Sequence, residues 1–257
     1  MLADGFAPYT TDLARTAAAS GSPIQRVPAT LLFADVSGYT RLTERLAMRG
    51  RVGAELLADA VNGCFTVLID EVHAQHGEVL RFGGDALFIA FTGPGRDRRG
   101  RAAAAAMQRA IRDLPSIVAP GGRVRLRQSM GLVDGELRLF RWQQTGADPW
   151  VEVLPFGPDV SEVLRCEAQA AAGRLIVGQG GPTGDATTPL PGIESSALLP
   201  PTLRRVLSEQ ARAEHRPVVL AFAQLHRFER LDDTTLTSAL DAVMDEAKSV
   251  ERTLGRE

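Results

Sequence analysis

The chain is short of cysteine and of surplus charge, and each shortage excludes something. Its two cysteines, Cys64 and Cys166, are far apart and each lies in an apolar, helix-like segment. Two buried, reduced thiols are expected there rather than a disulfide or a zinc site. Acidic and basic residues nearly cancel, with a formal net charge of −2, so no electrostatic case exists for nucleic acid or an anionic membrane as partner. The N-terminus has no basic stretch followed by an apolar one, and no uninterrupted apolar run reaches the ~18 residues of a membrane span, which predicts a soluble, cytoplasmic protein. What remains is a globular composition, 44% apolar and 23% charged over 257 residues, enough for one large domain or one domain and a fragment.

Residues 1–27 mix Pro, Thr, Ser and Ala around a short helix and read as an N-terminal extension. ATLLFADV then reads as a buried strand, followed by helix from Thr40. Apolar residues three and four apart, from Leu56 through Val61, Phe65 and Leu68 to Val72, extend the helical reading to a stop at Gly77. EVLRFGGDALFIAF has the alternation of a β-hairpin turning at Gly83 to Asp85. A Gly/Arg-rich loop is expected at 93–101, with Arg96, Arg98, Arg99 and Arg101 solvated, then a helix from RAAAAAMQRAIRDLP. VRLRQSMGLVDGELRLFRW predicts two strands turning at Asp134-Gly135. WVEVLPFG, PDVSEVLRCEAQAA and GRLIVG follow as strand, helix and strand. This is an α+β fold, a ferredoxin-like βαββαβ palm with extra elements and helices on one face of an antiparallel-rich sheet, over residues 28–178. Residues 179–213 have linker composition. Phe33 to Leu42 (FADVSGYTRL) aligns with Phe222 to Leu231 (FAQLHRFERL), so residues 214–257 read as the truncated start of a second copy.

Asp35 ends the first strand and Asp85 sits at the hairpin tip, beside Gly84. Singly, each fits a polar strand end or a turn acid. Together, two carboxylates and a backbone carbonyl, here that of Val36, suit Mg²⁺ or Mn²⁺. Ser37-Gly38-Tyr39-Thr40 then leads into a helix N-terminus, whose free N–H groups and positive dipole favour phosphate. His73 and His76 are three apart, but no further ligand completes a zinc set.

FADVSGYTRLTERL, GEVLRFGGDALFIAF and PFGPDVSEVLRCEAQAAAGRLIVG resemble the motifs of class III nucleotidyl cyclases over residues 27–178, nearest to the first catalytic domain of bicarbonate-responsive soluble tandem adenylyl cyclases. LLPPTLRRVL and the renewed strand at Val218 fit the linker and second-domain start of such tandems. The resemblance implies head-to-tail pairing with a second cyclase domain, in tandem or as a dimer partner. It also implies two Mg²⁺ or Mn²⁺ ions on Asp35, Val36 and Asp85, and conversion of ATP to 3′,5′-cyclic AMP and pyrophosphate.

This sequence departs from the family pattern on the opposing half. The base-reading Lys position is Arg81, its Asp/Thr partner falls on Leu154, and the ribose-orienting Asn falls on Ser161, while the catalytic Arg is kept as Arg165. Leu154 can hydrogen-bond no purine edge, so base recognition by this half is expected to be poor. Gln224 stands in the second copy where Asp35 stands in the first, so the second copy lacks this metal ligand. Arg81 and Arg165 could hold an anion such as bicarbonate. The competing readings are a catalytically silent cyclase-homology module that binds nucleotide, metal or a partner half, and a diguanylate cyclase. Ala86, where that second family needs an acid, argues against the latter.

Overall fold

The computed structural model describes residues 5–145, 148–183, 193–208 and 231–254, the last six of these in backbone only. The chain divides into two compact units. One comprises Arg26–Leu137 with the segment that starts at Phe156. The other comprises the N-terminal segment, Arg138–Pro155 and the C-terminal helices.

The first unit holds nearly all of β1 (Ile24–Ser37), then α2 (Tyr39–Ala47), α3 (Gly50–Ala74), β2 (Glu78–Gly83), β3 (Ala86–Thr92) and α4 (Arg96–Asp113), after α1 (Asp12–Ala19) of the other unit. A small hairpin, β4 (Ile117–Ala119) and β5 (Gly122–Val124), precedes the long strand β6 (Arg127–Gln144), which continues into the second unit. There β6 carries β7 (Trp150–Phe156), while α5 (Pro158–Gln169) and β8 (Leu175–Val177) return to the first unit. The strand order β2-β3-β1-β6, with β1 and β2 both antiparallel to β3 and β8 parallel to β6, is the expected ferredoxin-like palm. The remaining helices are α6 (Pro201–Ser208) and α7 (Asp233–Leu254).

The core lies between one sheet face and α2, α3 and α4. Leu32, Ala34 and Val36 of β1 and Leu87, Ile89 and Phe91 of β3 meet Leu42, Leu68, Val72 and Met107. Fully burying each such Leu or Phe is worth about 1.5–3 kcal/mol. A Cβ at Gly100 of α4 would lie 2.8 Å from Thr30 and 3.5 Å from Leu132, so a small residue lets this helix sit on the strands.

Three expectations about the strands and helices are corrected here. Asp134-Gly135 makes no turn: both residues lie inside the unbroken β6. Gly135 is small because the Asp159 carboxylate would be 2.2 Å from a Cβ there, and that carboxylate accepts hydrogen bonds from the Glu136 and Gly181 N–H groups at 2.7 and 2.9 Å. Helices cover both sheet faces, not one. Leu132 faces α4, whereas a Cβ on the adjacent Gly131 would lie 2.1 Å from the Val163 carbonyl oxygen of α5, and successive residues of a strand point to opposite faces. The segment 96–101 is the start of α4 rather than a loop, and three of its four arginines are engaged, while Arg98 is exposed. Arg96 clamps Asp134 at 2.8 and 3.2 Å, Arg101 binds Asp97 within α4, and Arg99 donates to the carbonyls of Gln75, His76 and Thr92. Beside these, α3, with 25 residues, is one helix long and apolar enough by length and composition to cross a membrane, although Cys64, Leu68 and Val72 along it are buried in the core.

The stop of α3 uses an unexpected residue. His76 takes the left-handed φ of +52°, and its N–H and that of Gly77 donate to the His73 and Val72 carbonyls, the pattern of a Schellman cap. Gly77 serves packing instead, since a Cβ there would be 2.4 Å from the Phe91 ring. Both cysteines are free and buried, and burial raises the Cys64 thiol to about 11. The second copy's motif, including Val218 and Gln224, lies outside the described residues; the long helix expected after Leu231 is α7.

Candidate active site

Strand register brings the two aspartates together. Asp35 pairs with Ala86 across β1 and β3, and the Val36 N–H donates to the Asp85 carbonyl at 3.0 Å. The hairpin makes this possible by closing with the two residues Gly84 and Asp85, Gly84 at φ +67°, the sign a tight primed turn needs at its first position. Both aspartates are half-buried, and neither forms an ion pair with a described residue. Burial pushes the Asp35 carboxyl up to about 6, with the negative charges of Asp85 and then Glu167 adding to the rise.

Glu167 was not anticipated from the sequence. It lies on α5 four residues after the buried Val163, on the stripe that meets the sheet, and accepts a 2.7 Å hydrogen bond from Ser129 of β6. A glutamate on the apolar stripe of a helix was the available signal. Among the described residues no group of three or more acids, histidines and cysteines is disposed to hold a metal. Asp35, Asp85 and the Val36 carbonyl are the groups that could hold a cation here. Half-buried like charges without a counter-ion are the chemistry a hard divalent cation would satisfy.

Beyond Asp35 the chain turns through Gly38, at φ +99°, into α2. Gly38 caps the helix without a side-chain hydrogen bond and no acid lies in the first turn, so the N–H groups at Tyr39 and Thr40 are uncapped by side chains and face no carboxylate of their own turn. Arg81 shares the sheet face of Asp35: it is opposite Phe88, Phe88 is opposite Phe33, and Phe33 is two residues from Asp35.

Arg165 is exposed and donates to both carboxylate oxygens of Glu162, one turn back on α5, at 2.8 and 2.5 Å. That contact raises the arginine and lowers the glutamate from their ordinary values. Ser161 is half-buried in the first turn of α5. Leu154 lies on β7 in the other unit.

No family model matches the chain. It is 39% identical over 59 residues to adenylate cyclase type 10 of Rattus norvegicus, a match covering 22% of this chain and 4% of that protein. An uncharacterized protein of Mycobacterium tuberculosis is 31% identical over 148 residues, 57% of this chain and 24% of the relative. Among solved structures, the non-canonical dimeric guanylyl cyclase domain of the RhoGC fusion protein from Blastocladiella emersonii superposes with a TM-score of 0.48 at 15% identity, over 61% of this chain and 82% of that one. The chain thus spans a small part of the curated relatives it matches.

Proposed function

We propose that the palm is the metal-bearing half of a class III nucleotide cyclase, converting ATP to 3′,5′-cyclic AMP and pyrophosphate against a second cyclase domain. The observation that carries this reading is the convergence of Asp35 and Asp85, without a counter-charge, beside the uncapped N-terminus of α2. Asp35, Asp85 and the Val36 carbonyl would hold Mg²⁺ or Mn²⁺, which when bound would activate the ribose hydroxyl and neutralise the leaving polyphosphate. Backbone N–H groups from Tyr39 onward would hold phosphate oxygens, with Gly38 letting the chain approach them closely. Local sequence similarity to adenylate cyclase type 10 supports the same reading.

A second reading is a half that binds metal and nucleotide without turnover. Arg165 is paired with Glu162, Leu154 can hydrogen-bond no purine edge, and Ser161 stands where the family has the ribose-orienting Asn. For the same reason the geometry favours no bicarbonate site at Arg165.

The test is formation of cyclic AMP and cyclic GMP from Mn²⁺-ATP and Mn²⁺-GTP by the purified chain, beside Asp35→Ala. Product that vanishes in the variant supports turnover. Absence of product with Mn²⁺ bound through Asp35 supports the silent half, and absence of Mn²⁺ binding sinks both readings.

A further inference from the structure

An acid that the cation reading leaves unused stands beside the aspartate pair. Three contacts fix the register of β1 against β6. The Arg141 N–H donates to the Pro23 carbonyl at 2.8 Å, the Thr30 hydroxyl donates to Asp134 at 2.5 Å, and a Cβ on Gly38 would lie 3.7 Å from the Leu126 side chain. Residue numbers fall along β6 as they rise along β1, so the two neighbouring strands form one antiparallel ladder, and its register sets Ser129 opposite Asp35. Residues directly opposite each other share a sheet face. That face is the one covered by α5, because Gly131, two residues on from Ser129, meets the Val163 carbonyl.

The buried Ser129 donates its hydroxyl hydrogen to Glu167 at 2.7 Å. The backbone locates Glu167 a second time: a Cβ on Gly131 would lie 2.7 Å from its nitrogen, so this turn of α5 rests directly on β6. Glu167 therefore has little room to move away from the end of β1. Nothing offsets its charge. Glu167 forms no ion pair with a described residue, and Arg127, two residues back along the same strand face, is exposed and forms none either. Its field reaches Asp35, whose carboxyl it helps to raise. Yet no group of three acids converges closely enough among the described residues to hold a metal, so Glu167 completes no ligand set with the two aspartates.

We propose that Glu167, with Ser129 as its positioning residue, is a third negative charge of the cation site and raises its affinity for a divalent cation through space, without being a ligand. The proposal rests on the cation reading above but needs no turnover.

Isothermal titration of Mn²⁺ into the purified chain at pH 7.5 tests it, beside Glu167→Gln, which keeps the shape and the acceptor for Ser129 and drops the charge. At low salt the variant should bind Mn²⁺ about five-fold more weakly, as one unit charge acting on a divalent ion across partly solvated protein implies. At about 0.5 M salt, where the screening length shrinks to ~4 Å, the difference should fall below about two-fold. In EDTA the variant should melt no lower than the parent, because a like charge beside Asp35 is gone. Glu167→Asp keeps the charge and should recover most of the affinity, and Ser129→Ala, which keeps the charge and loses the tether, should fall between parent and Glu167→Gln. Equal Mn²⁺ affinity in the parent and Glu167→Gln at low salt would overturn the proposal, and a lowered melting temperature beside it would assign the pair to holding α5 on β6. A loss that persists undiminished at high salt would make Glu167 a ligand and also overturn it. A parent chain that binds no Mn²⁺ would fail the cation reading itself and take this proposal with it, whereas a chain that binds Mn²⁺ as expected and forms no cyclic nucleotide would fail only the reading of turnover.

Discussion

Replacing Asp35 by Asn should make the metal-free protein more stable and the Mn²⁺-loaded protein less so. In the folded chain this carboxyl is raised to about 6 from its ordinary 3.8, because burial, Asp85 and Glu167 all disfavour its charge. A raised acid binds its proton more tightly when folded than unfolded, so its contribution is most favourable below the unfolded value and is lost as pH rises from about 4 through 6. Each pKa unit corresponds to about 1.4 kcal/mol. Because the group is only half-buried, solvent screening reduces the penalty at pH 7.5 to about 1–2 kcal/mol. Asn keeps the shape and removes the charge. In EDTA at pH 7.5, thermal melting should therefore show the variant raised by several degrees, at about 2–4 °C per kcal/mol for a protein of this size. At pH 4 the difference should close. With Mn²⁺ at a hundred times its dissociation constant, the parent chain gains about 2.7 kcal/mol and the variant little, so the order of melting temperatures inverts. A variant less stable than the parent in EDTA, or one that gains equally from Mn²⁺, would refute the assignment of Asp35 as a ligand held against its own electrostatics.

Three structural substitutions probe the frame around the site. Gly131→Ala drives a methyl into the Val163 carbonyl and should lower stability by about 3 kcal/mol or more in urea unfolding, with Mn²⁺ unable to restore it. Arg99→Ala removes the side chain that gathers the Gln75, His76 and Thr92 carbonyls and should destabilise by about 1.5–3 kcal/mol, with faster amide exchange at the end of α3; Lys should recover only part, lacking the planar fork. Asp159→Ala strands the Glu136 and Gly181 N–H groups, and a loss of about 2–4 kcal/mol with increased exchange at Glu136 is expected. Stability within 0.5 kcal/mol of the parent in any of the three would contradict the corresponding contact.

The parts of this chain that could be read from sequence are those fixed by neighbours in sequence. Leu31 to Asp35 and the Gly84-Asp85 tip carry their conformation in local periodicity and turn chemistry, so the aspartate pair was foreseeable. Asp134-Gly135 has the composition of a turn, but its glycine is required by Asp159, more than twenty residues away, and its aspartate by Arg96 and Thr30. Arginines at 96–101 look like a solvated loop until Asp134 and the end of α3 are known to lie beside them. Gly77 looked like a helix stop because glycine so often is one, whereas His76 adopts the left-handed turn and Gly77 admits Phe91. In each case a distant group supplied the reason for the local residue.

Several acids of the first unit are paired inside the fold, and Asp35 differs from them. Asp134 is clamped by Arg96, Glu136 by Arg26, and Glu162 by Arg165, while Asp159 is held by two backbone N–H groups. Each of these is satisfied inside the fold and needs nothing more. Asp35 has no such partner, lies beside Asp85 and Glu167, and is held in its less favourable charge state at neutral pH. Arginine is abundant, and a cation on β3 opposite Asp35, where Ala86 stands, would have sufficed. Local rules are broken where a ligand from outside completes the site. On the proposed reading, a divalent cation would offset the electrostatic deficit at Asp35, and metal binding should precede and enable nucleotide binding. Isothermal titration of ATP with and without Mn²⁺ tests this order. Equal affinity in the two conditions would show that the aspartate pair does not organise the site.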